Sequence, residues 1–204
     1  VYFGSIIIFR IDILQACQVD DHRDREARLM FRSIVVGTDG SDTATQAVRQ
    51  AIELADLAVR LAGQVAGEES WRSRLQGYSL AHLGNARRAA DDFEGAEAAF
   101  RRAWGLWRAG AEGDPGGVLD RGLIFDLEAS LRKDQRRFLE AQSLSEQAVA
   151  LAGPHRLGDV LLHQAFALEQ MGDYSRAIEA LEKLIAEHRT AQDLSRALAT
   201  AHHL

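Results

Sequence analysis

One pattern recurs three times in this chain and constrains its shape more than any other feature. AADDFEGAEAAFRRAW (89–104), DQRRFLEAQSLSEQAV (134–149) and MGDYSRAIEALEKLI (171–185) each place an aromatic residue three positions before an alanine. The pairs are Phe93 and Ala96, Phe138 and Ala141, Tyr174 and Ala177, and seven residues further on come Ala103, Ala148 and Leu184. The anchor alanines lie 45 and then 36 residues apart; Ala51 lies another 45 before Ala96, with Val48 in place of the aromatic. An aromatic at the start of the second helix of a hairpin packs down on the first helix. The alanine after it lets the two backbones approach closely. Each hairpin has two apolar faces that need neighbours, so such units stack into a solenoid.

The remaining sequence supports a helical reading. Beyond Gly67 no run of β-branched residues bounded by turns occurs. Helices are expected at about 70–90, 93–109, 118–134, 138–152, 157–171, 175–188 and 191–202, with breaks at Asp91-Asp92, GAEGDPGG (110–117), Gln135-Arg136-Arg137, Gly153-Pro154 and Gly172-Asp173. Upstream, residues 5–14 and 33–38 read as strands, and 18–30 as a charged linker or short solvated helix. From Ser41, a credible N-cap, a helix runs to about Ala62 before Gly63, with Ala44, Ala47, Val48, Ala51, Ile52, Ala55, Leu57, Ala58 and Leu61 forming a broad apolar face. The expected fold is mainly α, an antiparallel helix-hairpin solenoid with one or two N-terminal β-strands as an appendage. Its expected parts are an extension over 1–29, a strand plus helix over 30–66, and a repeat domain over 67–204.

Composition narrows the function classes. The formal charge of −6 argues against general binding of nucleic acid or acidic membranes, which need a cationic footprint. Cys17 is the one cysteine, so no disulfide framework exists, and a reducing cytoplasm is the simplest assignment. The apolar start VYFGSIIIFRIDIL is broken by Arg10 and Asp12 and falls short of the ~20 residues a membrane span needs. It also lacks a basic leader and cleavage site. Met30 is a candidate start codon.

The repeats resemble the tetratricopeptide repeat family. Residues 158–191 carry the likeness best, through Gly172-Asp173-Tyr174 at the turn, Ala165 in the first helix and Ala177 in the second. Residues 77–110 follow, with Leu83-Gly84-Asn85-Ala86, then Phe93, Ala96, Phe100 and Ala103. The middle unit departs from the pattern: Glu128 stands at a core-leucine position, and Arg136-Arg137 replace Gly-Asp. The 45-residue steps exceed the family's ~34, so inserts such as GAEGDPGG must bulge from the stack. The resemblance implies an inner groove lined by the first helix of each pair. Its ligand-facing positions carry over as Tyr78, Ala81, Asn85 and Arg88; Leu123, Asp126, Ser130 and Lys133; Asp159, Leu162, Phe166 and Glu169. Asn85, Arg88 and Lys133 suit a peptide carboxylate or backbone, and Phe166 an apolar side chain. Ordinary solvated helix positions are the alternative for each.

A second resemblance sits upstream. MFRSIVVGTDGSDTATQAVRQAIELAD (30–56) resembles the start of universal stress proteins: a strand ending in Asp39, then Gly40-Ser41 and an alanine-rich helix. That likeness implies Asp39 near the adenine-ribose end of bound ATP. The family's phosphate loop, G-x2-G-x9-G-[ST], is missing: Gly110 and Gly113 are followed by Leu123 at the required glycine. A lone strand must pair its backbone and cover both faces, and two strands alone are marginal. Residues 5–14 or a second copy of the chain are the available partners. Residues 42–62 also fit the last helix of a preceding half-repeat.

No HExxH, GxSxG, GxxxxGK[ST] or GxGxxG occurs, and the seven histidines have no cysteine nearby, so neither an enzyme nor a metal site is expected. Three readings stand. The first is a bacterial-type scaffold that binds a peptide or partner protein. The second is a truncated or fused universal stress protein with nucleotide-binding ancestry and ATP as ligand. The third is the partner-binding or sensory part of a transcriptional regulator, because residues 68–188 look like the repeat regions that follow a helix-turn-helix in some bacterial regulators.

Overall fold

The computed structural model describes residues 5–9, 34–38, 41–110, 121–152 and 156–187. The sequence-expected helix 191–202, the charged segment 18–30, most of GAEGDPGG, Gly153-Pro154 and Asp39 lie outside the described residues. The chain divides into two compact units, Val1–Leu119 and Asp120–Leu204. Mainly helical architecture characterises both.

The first unit begins with two strands, β1 (Ser5–Phe9) and β2 (Ile34–Thr38). They pair antiparallel within the chain, with Ser5 opposite Thr38 and Phe9 opposite Ile34. Helix α1 (Asp42–Ala62) follows, capped by Ser41, whose hydroxyl accepts from the Ala44 amide at 3.2 Å. Gly63 ends it in a right-handed conformation, so this glycine stops the helix without a left-handed turn.

Helices α2 (Glu69–Ala89) and α3 (Phe93–Ala109) form the first hairpin. Their backbones meet at Gly77, where a Cβ would sit 2.8 Å from the Ala103 carbonyl oxygen and 3.2 Å from the Trp107 amide nitrogen. At Gly84 a Cβ would meet the Phe100 ring at 2.8 Å. Glycine at these two positions therefore sets the approach of the helices. Phe100, Leu75 and Leu80 fill the core between them. On the other side of α2, Val48 and Ala51 of α1 pack against Ala86, with Ala47, Ile52 and Ala89 alongside.

The second unit holds two hairpins. Helices α4 (Arg121–Asp134) and α5 (Phe138–Leu151) make one, α6 (Leu157–Gln170) and α7 (Tyr174–Glu187) the other. Leu161, Ala165, Ala180, Leu181 and Leu184 form the α6/α7 core, and Val149 of α5 packs against its edge.

The sequence register becomes a burial register. Residues 96, 100 and 103 of α3, 141, 145 and 148 of α5, and 177, 181 and 184 of α7 are all buried. Helix α1 continues the series with Ala51, Ala55 and Ala58, although it lacks the aromatic. Spacings of four and then three keep these positions on one helix face, so one face of every second helix is the seam of its hairpin.

The turns repeat as well. The amides of Asp91 and Asp92 donate to the carbonyls of Arg88 and Arg87, both at 3.0 Å. Those of Arg136 and Arg137 donate to Lys133 and Arg132, at 2.9 and 2.8 Å; those of Gly172 and Asp173 donate to Glu169 and Leu168, at 2.8 and 3.0 Å. This crossed pair is the Schellman closure, and it needs a left-handed residue after the helix. Asp91 (φ 58°), Arg136 (φ 62°) and Gly172 (φ 78°) supply it. The middle hairpin thus makes the same turn with an arginine where the third uses glycine.

Candidate functional site

The first-helix positions singled out by the resemblance fall into two sets, one in each unit. In the first unit Tyr78 is half-buried and stacks edge-on against His82, ring centroids 5.1 Å apart. Ala81 and Asn85 are buried. The Asn85 side-chain oxygen accepts from Arg88 Nε at 2.9 Å, so these two residues form one polar pair within the last two turns of α2.

In the second unit α4 contributes Leu123 and Asp126, both buried, and Ser130 and Lys133, both half-buried. The Ser130 hydroxyl donates to the Asp126 carbonyl at 3.3 Å, and Lys133 Nζ lies 3.3 Å from an Asp134 carboxylate oxygen. Helix α6 contributes Asp159, Leu162, Phe166 and Glu169. Leu162 is half-buried at the core edge, whereas Phe166, one turn on, is 39% exposed. Among the described residues of α6, Phe166 is the large apolar side chain that is exposed.

A network of charged groups connects α4 with α6. Asp126 is 2% exposed within the apolar run Leu123–Leu131. A carboxylate buried there needs cationic partners, since an uncompensated charge costs several kcal/mol. Two come from the next hairpin: His163 Nδ1 donates to both carboxylate oxygens, at 2.9 and 3.0 Å, and Arg156 donates at 3.2 Å. The Asp126 charge raises the His163 pKa above its ordinary value; desolvation opposes this, Asp159 adds to it and Arg156 counteracts it. His163 keeps about half its side-chain surface, 47%, in contact with solvent. The network joins a buried anchor to an open imidazole.

Glu128 meets the same demand locally. It is buried where the family pattern has leucine, and Arg132 one turn on donates to it at 2.8 Å. At the surface, Arg176 of α7 donates to Glu146 of α5 at 2.9 Å. The hydrogen bond from Gln142, then that from Arg176, holds the Glu146 carboxyl below its usual range.

Sequence reasoning singled out Asp126 but passed over Arg156 and His163. The available signal was the acid itself: a carboxylate within a largely apolar helix run demands a cation, although the spacing does not say which. Among the described residues no group of three or more His, Cys, Asp or Glu is placed to hold a metal ion. No described helix is long and apolar enough to cross a membrane.

Both units are thus built of antiparallel helical hairpins closed by one recurring turn and sealed by one recurring register of buried positions. Comparison with known families adds names to parts of the chain. Residues 159–191 match the tetratricopeptide repeat model, and residues 30–65 match that of the universal stress protein family. The two resemblances therefore hold over separate segments of one chain. Among solved structures the chain is similar to the N-terminal domain of stress-induced protein-1 (STI-1) from C. elegans, at 19% identity and a TM-score of 0.47. That similarity covers 63% of this chain and 97% of the other. No curated protein matches the sequence.

Proposed function

We propose that the chain is a non-enzymatic scaffold that binds a peptide or partner protein along the first helices of its hairpins. The carrying observation is the third hairpin: α6 and α7 coincide with the tetratricopeptide repeat match and present Phe166 to solvent on the first helix. Apolar anchors flanked by polar groups are how helix grooves take extended or helical peptides. Leu162 and Phe166 are the proposed anchors in the second unit, with Lys133 as the polar contact. Tyr78 and Arg88 are the proposed contacts in the first, with the buried Asn85 orienting the Arg88 guanidinium. Once a partner peptide is in hand, Phe166→Ala should weaken its binding about tenfold or more, the loss typical of an aromatic anchor. Leu139→Ala, at an 80% exposed site on the second helix α5, should leave the affinity unchanged. Equal effects of the two substitutions would refute the placement.

The universal stress family match over 30–65 favours a second reading, in which the N-terminal segment binds ATP through Asp39. Calorimetric titration with ATP separates the readings. Micromolar binding that Asp39→Ala abolishes supports the nucleotide reading; no heat at millimolar ATP removes it.

A further inference from the structure

The two ring nitrogens of His163 on α6 have different surroundings. Nδ1 lies 2.9 and 3.0 Å from the two carboxylate oxygens of Asp126, and Arg156 donates to the same carboxylate at 3.2 Å. Among the described residues Asp126 is the hydrogen-bond partner of this ring, and it reaches Nδ1 only. The side chain keeps 47% of its surface open to solvent. A carboxylate paired with a guanidinium has acceptor atoms alone, with no proton to give. Nδ1 therefore holds a proton in the neutral ring as well as in the charged one. Titration falls on Nε2: its N–H donates when the ring is charged, and its lone pair accepts when the ring is neutral.

The local charge changes with it. The charged groups that act on the ring are Asp126 from α4, Asp159 from α6 itself and Arg156 at its N-cap; α5 and α7 contribute none of them. With His163 protonated the two cations and two carboxylates cancel. With His163 neutral, one negative charge is left over. Phe166 stands three residues further along the same helix, 39% exposed, and residues so spaced share one side. An open aromatic ring thus has, one turn away, a charge-assisted donor in one protonation state and an acceptor beside excess negative charge in the other.

We propose that His163 makes the α6 face choose its ligand by pH: a peptide with a carboxylate beside an apolar side chain is held while Nε2 donates, its apolar group on Phe166, and is released when Nε2 becomes an acceptor. It rests on partner binding along the first helices and adds to that reading the ligand's chemistry and its control. Asp126 favours the charged ring, so the holding state extends above the ordinary imidazole range.

Two small probes that share one apolar group test it: phenylpropionate and phenylpropionamide, titrated into the full chain carrying isotope-labelled histidine and phenylalanine. Imidazole nitrogen shifts give the His163 midpoint and should show Nε2 losing its proton while Nδ1 keeps its own. Below that midpoint the His163 and Phe166 signals should report binding of the carboxylate about tenfold tighter than of the amide. Above it the preference should vanish while the amide still binds, which also shows the fold intact. His163→Gln, which cannot titrate, should show the same relative affinity for the two probes at both pH values. Loss of the Nδ1 proton, equal affinities below the midpoint, or a preference that persists above it or changes with pH in His163→Gln overturns the proposal and leaves the Phe166 contact standing. Phe166 signals that respond to neither probe contradict binding along the first helices, and this inference with it.

Discussion

His163 Nδ1 of α6 sits 2.9 and 3.0 Å from the two carboxylate oxygens of Asp126 on α4, thirty-seven residues earlier in the chain. One partner is buried and the other half-exposed, so the link between successive hairpins is an ion pair whose strength depends on the protonation of its outer member. Its position on first helices places it beside the proposed binding residues Leu162 and Phe166.

The pH dependence follows in sign. The folded-state pKa of His163 is raised above the ordinary imidazole value of about 6.5, chiefly by Asp126. A raised pKa means that folding favours the protonated form. Its contribution is therefore fully present below about pH 6.5 and is lost as pH rises through the folded value. Amide exchange in α4 and α6, compared between pH 6 and pH 9 after correction for intrinsic rates, should show less protection at pH 9. His163→Gln should flatten that difference. An identical pH response in the two proteins would contradict the pair.

Removing the buried member should cost more than removing the outer one. Asp126→Ala deletes the acceptor for both His163 and Arg156, and hydrogen bonds to charged groups contribute about 1.5–3 kcal/mol each. A loss of about 2–4 kcal/mol in the second unit is expected by denaturant titration, with non-additive effects among the three residues. Simple additivity of Asp126→Ala and His163→Ala in a double-mutant cycle would rule the coupling out.

The repeated turn gives a backbone prediction. Arg136 occupies a left-handed conformation that costs a residue with a Cβ about 1–2 kcal/mol. Arg136→Gly should thus stabilise the second unit, by up to about 1 kcal/mol after the unfolded-state entropy of glycine is subtracted. Gly172→Ala should destabilise it by a similar amount. No atom lies within 4 Å of a Cβ at Gly172, so that cost isolates the backbone. Equilibrium unfolding of both variants checks the opposite signs.

In the first unit two glycines should behave oppositely. A methyl at Gly77 meets backbone atoms of Ala103 and Trp107, which can yield only if α2 and α3 separate. Gly77→Ala should cost about 1–3 kcal/mol, as overpacking does. Gly105→Ala on α3 meets nothing within 4 Å and should stabilise the helix by about 0.5–1 kcal/mol. Thermal melting of the two variants decides the matter.

These relationships differ in how visible they are in the sequence. Local periodicity placed α2, α3, α5, α6 and α7 within a residue at each end, because burial of Ala96, Ala141 and Ala177 depends on it. The Gly172-Asp173 turn was legible for the same reason. The turn at Arg136-Arg137 was not, since arginine has no local preference for the left-handed conformation it adopts there. The link from Asp126 to Arg156 and His163 depends on how two hairpins approach, and no local spacing encodes that. The burial of Asn85 against Arg88 is hidden likewise: an i, i+3 pair reads the same whether it faces solvent or the core.

Partner binding along the first helices is the central claim, and site-specific photo-cross-linking tests it most directly. A benzophenone amino acid at position 166 of the full chain, expressed in its native cell, should give discrete cross-linked species containing one reproducible partner. The same group at position 139 should give none of that species. Cross-linking of the same partner from both positions, or from 139 alone, would contradict a binding face on the first helices.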